Sequence, residues 1–149
     1  MTFLLTSEPL ENMLLNDGIQ TSEAGAFVNF TGLVRQSNPA HSNKKVTHLL
    51  FEADESLCAK EIHLIFNEAV RQFDCTRLKC AHRTGKISVG EMIIWIGAAA
   101  PHRHQAFNAC QYVLDQLKAL LPIWKKEFYI DGTSQWVGNA PMTEESHEI

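Results

Sequence analysis

Apolar and polar positions along this chain recur with two different periods, and the switches between them mark out its elements. Ala24 to Arg35 alternates and is rich in Phe27, Val28, Phe30, Thr31 and Val34, which predicts a strand running to a basic end. Gln36 to Lys45 carries Ser37, Asn38, Pro39, Ser42 and Asn43 and reads as an exposed, mobile loop. Val46 to Glu52 is a second strand. From Asp54 to Phe73 the period lengthens. Cys58, Ile62, Ile65, Phe66, Ala69 and Phe73 fall at three- and four-residue steps, one face of a helix that Asp54 or Ser56 can cap. Strands are expected again at Arg77 to Arg83 and Glu91 to Ala98, with Gly85 and Gly90 bracketing their connection. Ala106, Cys110, Val113, Leu114, Leu117 and Leu121 define a second amphipathic helix, which Pro122 must end or kink because it has no amide hydrogen to give. Final strands lie near Ile123 to Ile130 and Gln135 to Val137. Met1 to Glu23 carries mixed signals around a turn at Asp17-Gly18 and receives no element. The succession of strand pairs and single helices predicts an α+β fold with mostly antiparallel pairing.

The 149 residues fit one domain, 1–149, with a real core, and no repeat or linker divides them. The longest apolar stretch, Met92 to Pro101, is too short to span a bilayer, and the first residues lack a basic leader, so the sequence reads as cytoplasmic. A net charge of -4 argues against a general nucleic-acid binder, and any bound anion must be held by a local cluster of cations. Cys58, Cys75, Cys80 and Cys110 show neither Cys-x-x-Cys nor zinc-site spacing, which favours reduced, structural thiols.

Four places could concentrate positive charge. In PHRHQAF, residues 101–107, Pro101 suits a first helical turn and sets His102 and Arg103 at a helix N-terminus, where free amides and a guanidinium favour a phosphate or carboxylate. The same pair also fits a solvated arginine beside a hydrogen-bonded histidine. In KALLPIWKKE, residues 118–127, Lys118 closes the helix while Lys125 and Lys126 point to opposite faces of the next strand. A lysine desolvated among Leu121, Ile123 and Trp124 would lose proton affinity and serve as acid, base or nucleophile, although a Lys118 that meets the helix C-terminus beside two solvated strand lysines fits as well. Arg35 ends the first strand, and His82-Arg83 supplies a further basic pair with a structural or secondary binding role. His102-x-His104 lacks a third ligand, so no metal is expected. Phosphate-loop, dinucleotide, serine-elbow and zinc-protease motifs are absent.

FTGLVR at 30–35, HRTG at 82–85, PHRHQAF at 101–107 and KALLPIWKKE at 118–127 together resemble the molybdopterin synthase large-subunit family, in the same order and with similar separations. The resemblance implies an α/β hammerhead fold with an additional antiparallel β subdomain. It also implies a central homodimer within a heterotetramer, carrying a small ubiquitin-like sulfur-carrier subunit at each end. The small subunit's Gly-Gly tail, as a thiocarboxylate, would pass sulfur twice to cyclic pyranopterin monophosphate, forming the dithiolene of molybdopterin. No cofactor is implied. Catalytic lysines map to Lys118 and Lys125, and substrate-binding residues to Arg35, His102, Arg103, Lys118 and Lys125. The chain departs from the family pattern twice. Asp54-Glu55 replaces a frequent tyrosine-proline pair, and Gly138-Asn139-Ala140 stands where a basic residue often follows the last tryptophan, so that the substrate site is less cationic or uses another residue, such as Lys126 or Arg83. Two other readings compete: a non-catalytic module for a Gly-Gly-tailed ubiquitin-like protein, and a nucleic-acid binder stacking bases on Trp124 or Phe128, which the acidic charge disfavours.

Overall fold

The computed structural model describes residues 1–19, 21–38 and 42–141. In chain order its elements are β1 (Thr2–Thr6), a short 3-10 turn (Leu10–Asn12), β2 (Ala26–Leu33), β3 (Ser37–Asn38), β4 (Ser42–Ala53), α1 (Glu55–Phe73), β5 (Arg77–Arg83), β6 (Gly85–Ser88), β7 (Met92–Ala100), α2 (Arg103–Leu120), β8 (Ile123–Tyr129) and β9 (Ser134–Val137). One sheet runs β1-β5-β7-β2, with β1 parallel to β5 and the other pairs antiparallel. In the second, β3-β4-β8-β9 with β6 also on β4, every pair is antiparallel. The first sheet with its helices is the hammerhead layer, and the second is the additional antiparallel subdomain of this α+β fold.

Both helices pack on the first sheet because their apolar stripes require it. Ile62, Ile65 and Phe66 of α1 and Ala106, Val113 and Leu117 of α2 join Ile94, Ile96 and Ala98 of β7 in one core. The neighbour Trp95 points through the other side of the sheet onto Leu10 and Leu15, so β7 is covered on both faces. That double burial explains its unbroken apolar run in place of alternation. A smaller core of Val34, Leu49, Phe51, Ile87 and Tyr129 holds the second sheet.

Local chemistry sets the helix ends. Asp54 caps α1, its carboxylate accepting the Leu57 amide at 3.1 Å, and Asp74 closes it in the left-handed conformation. α2 starts at Arg103, not at Pro101: His102 is the cap, with its amide donating to Gln105 Oε1 at 3.0 Å. Pro122 stands just past the other end, as its missing amide hydrogen demands. Three elements lie where none was expected. β1 falls in the unassigned N-terminal stretch, β6 between Gly85 and Gly90, and β3 with the start of β4 inside the expected loop. Residues 39–41 of that loop lie outside the described residues. No described helix is long and apolar enough to cross a membrane.

Candidate functional site

A cavity of about 860 Å³ opens where the two sheets meet the C-terminal end of α2. β2 and β7 form one wall, β4 and β8 the other, and the last turn of α2 stands at its side. Within the β2–β7 wall, position 32 has to be glycine: Gly32 pairs directly with Ile94, and a Cβ there would lie 2.8 Å from Ile94 Cγ2. Arg35, Lys118, Lys125, Glu127 and His82 supply the ionisable lining.

Strand alternation decides which lysine of β8 reaches the cavity. Lys125 and Glu127 face inward, two residues apart on one strand face. Lys126 faces the opposite side, its Nζ 5.7 Å from the Phe128 ring centre and 5.4 Å from that of Trp136. Burial lowers the Lys125 pKa below that of an ordinary lysine; Glu127 opposes the shift, while Lys118 and Arg35 add to it. Such a lysine gives up its proton more readily than one in water, the property a proton-transfer group needs. Lys118 is exposed at the cavity's edge.

Glu127 is only 2% exposed and accepts the Tyr129 hydroxyl at 2.9 Å. Among the described residues, a buried carboxylate next to three pocket cations leaves the cavity net cationic in a chain whose formal charge is -4. That imbalance suits an anionic ligand. Sequence reasoning passed over Glu127, although the alternation that separates Lys125 from Lys126 also puts Glu127 beside Lys125.

His82 is buried at the inner end of β5, with Nδ1 2.8 Å from the Arg83 carbonyl and the ring edge-on to Phe51 at 5.2 Å between centres. Burial pushes its pKa down to about 4, with the carbonyl bond opposing. Because the folded pKa is below the unfolded 6.5, the unfolded chain takes up a proton that the folded chain refuses. Stability is therefore full above about pH 6.5 and falls as the pH drops toward about 4. From about pH 7 to about pH 5 the protein should lose about 2 kcal/mol more unfolding free energy than His82→Gln, at about 1.4 kcal/mol per pH unit. Urea melts at the two pH values read this difference, and equal losses would show that His82 does not stay neutral in the fold.

Neither substitute for the missing basic residue reaches the cavity. Lys126 is turned away, and Arg83 is tied to Glu91 at 3.3 Å outside the cavity lining. His102 and Arg103 are not brought to it either. Arg103 opens α2 and Lys118 lies fifteen residues on, about 22 Å along the axis at 1.5 Å per residue. The His102 and His104 rings stack in parallel, 6.1 Å between centres, and both side chains are exposed. No cluster of three or more histidine, cysteine or acidic side chains suited to a metal occurs among the described residues. All four cysteines are free and buried. Burial pushes the thiols of Cys58, Cys75 and Cys110 up to about 11, and Cys80 is raised by the same cause. A thiol held this way is not a thiolate at neutral pH.

The family model described as MoaE protein matches residues 5–120. Molybdopterin synthase catalytic subunit 1 of Mycobacterium tuberculosis is 36% identical over 137 residues, covering 92% of this chain and 90% of that protein. The crystal structure of molybdopterin synthase from Staphylococcus aureus superposes with a TM-score of 0.84 at 29% identity, covering 92% of this chain and 97% of that one. A complex of subunits 1 and 2 of the molybdopterin-converting factor from Helicobacter pylori, 18% identical, shares the fold with a TM-score of 0.71 over 93% of this chain and 90% of that one.

Proposed function

Because this chain belongs to the MoaE family of molybdopterin synthase catalytic subunits, enzymes of molybdenum cofactor biosynthesis, we propose that it moves sulfur from a protein thiocarboxylate to cyclic pyranopterin monophosphate. The donor is the Gly-Gly tail of a small ubiquitin-like subunit, and two transfers build the dithiolene of molybdopterin. One observation carries this reading: Lys118, Lys125 and Arg35 converge on a single cavity in which Lys125 is desolvated.

Each group has work suited to its surroundings. Lys125, with its reduced proton affinity, gives and takes protons during thiocarboxylate attack and ring opening. Lys118, at the exposed edge, holds the tail and stabilises the oxyanion that forms when water adds to its terminal carbonyl carbon; collapse breaks the carbon–sulfur bond, leaving sulfur on the pterin and the tail as a carboxylate. Arg35 presents a guanidinium to an anionic group of the substrate. The raised thiol pKa values of this chain's cysteines favour sulfur that arrives on the partner over sulfur carried here as a persulfide.

His102 and Arg103 complete the same chemistry from a second copy. They stand about 22 Å along α2 from Lys118, too far for one substrate to touch both on one chain. A two-fold pair of chains removes the difficulty, since the α2 start of one copy can serve the cavity of the other. The protein should therefore be a dimer at micromolar concentration in light scattering, and a monomer would remove the shared site. Turnover with a thiocarboxylated small subunit distinguishes the enzyme from a passive docking module, which would bind the tail and release no sulfur.

A further inference from the structure

We propose that His82 reads the heterocycle of the substrate: its Nε2 accepts a hydrogen bond from an N–H group of the pterin held in the cavity between α2 and β8. The inference rests on the proposed function and deepens it. Its basis is the way the ring is held. Nδ1 lies 2.8 Å from the Arg83 carbonyl, and a carbonyl can only accept, so Nδ1 must carry the ring proton. Burial keeps the imidazole neutral. Nε2 is then left as a fixed lone pair, and His82 makes no other hydrogen bond among the described residues.

That lone pair has no use for an anion. Arg35, Lys118 and Lys125 are donors, which is what a phosphate or a tail carboxylate requires. Glu127, an ionisable acceptor in the lining, already takes the Tyr129 hydroxyl and faces the charge of Lys125. A neutral acceptor on the wall calls for a ligand that brings its own N–H, and pterin ring nitrogens and amine do. The peptide N–H groups of the donor tail share this chemistry, but the surroundings favour the ring. His82 is 4% exposed, packed edge-on against Phe51 with Ile94 in the same lining, a flat apolar setting for a heterocycle. Lys118, suited to the tail, stands at the exposed edge.

Two substitutions separate the nitrogens. In His82→Asn the amide can still donate to the Arg83 carbonyl while the Nε2 position is vacated. In His82→Gln the longer chain can return an oxygen acceptor to that position. His82→Asn should raise the pterin KM about three- to tenfold, the worth of one neutral hydrogen bond, with the loss larger in KM than in kcat. His82→Gln should recover most of it. Calorimetry of the small subunit alone should give the same affinity for all three proteins. A second reading needs no variant: in the protein with ¹⁵N-labelled histidine, adding cyclic pyranopterin monophosphate without the donor should move the Nε2 resonance of His82 toward hydrogen-bonded values.

An unmoved resonance in the pterin-bound protein, or an unchanged pterin KM in a folded His82→Asn, overturns the inference. Weakened donor binding with the pterin KM intact also overturns it, by assigning the N–H to the tail. If the wild-type protein neither binds the pterin nor turns it over, the proposed function itself falls, a result distinct from failure of His82 alone.

Discussion

Replacing Lys125 by alanine is expected to cut the rate of dithiolene formation by about 10²- to 10⁴-fold, the usual contribution of a positioned proton-transfer group. Lys118→Ala should fall in the same range, since it removes the charge that meets the oxyanion. Neither change should unfold the protein, because neither side chain is part of the apolar clusters that hold the two sheets. Lys126→Ala supplies the internal control. It is the next residue on the same strand, but its ammonium lies over Phe128 and Trp136 on the opposite face. It should lose only the modest stability of half-exposed cation–π contacts, about 0.5 to 1 kcal/mol, and little rate. Single-turnover assays with circular dichroism on each variant read both quantities. A larger rate loss at Lys126 than at Lys125 would reverse the assignment of the strand faces to chemistry.

The second large effect belongs to the start of α2. Arg103→Ala should raise the pterin KM about ten- to hundredfold, as expected for a charge-assisted contact of about 1.5 to 3 kcal/mol, and should leave donor binding largely intact. Backbone amides at that helix end and the guanidinium together suit the substrate phosphate. The distance to Lys118 gives the prediction its sharper form. If Arg103 serves the neighbouring copy, hybrids of an Arg103→Ala chain with a Lys125→Ala chain contain one complete cavity, formed by Lys125 of the first chain and Arg103 of the second. Such hybrids should recover about half the wild-type rate at low pterin concentration, which either parent alone cannot reach. Absence of recovery in verified hybrids would place Arg103 in a separate anion site on its own chain.

The sequence pattern resolved the elements whose signal is local. α1 and α2 carry full-length apolar stripes with their own caps, and β5 was bounded at both ends as observed. β1 escaped because five residues, Thr2–Thr6, become a strand only through parallel pairing with β5, some 75 residues away. β6 escaped for a similar reason: it is four residues long with Ile87 as its buried side chain, and it exists as a partner of β4. Ser37 and Asn38 look like loop residues by composition, yet they pair with β4 at its N-terminal end.

The candidate site was legible in the same uneven way. Alternation along β8 told Lys125 from Lys126, but the burial that shifts Lys125 comes from β2, β4 and α2 packing around it, which no local period reveals. Charge next to charge in Lys125-Lys126-Glu127 reads as a solvated edge, so Glu127 was overlooked despite being 2% exposed. PHRHQAF at the start of the predicted second helix and Lys118 at its close already put His102 and Arg103 at the opposite end from Lys118, and the observed span of α2 agrees.

The central claim, that this chain carries out sulfur transfer and does not merely dock a sulfur carrier, meets its most direct test in a three-component reaction. The protein is mixed with a small subunit thiocarboxylated at its Gly-Gly terminus and with cyclic pyranopterin monophosphate, and the pterin product is read by mass. The account predicts a pterin carrying two sulfurs, with the small subunit returned as its carboxylate, and loss of that product in Lys125→Ala. A folded wild-type protein that binds the thiocarboxylated tail and leaves both the pterin and the thiocarboxylate unchanged would contradict it.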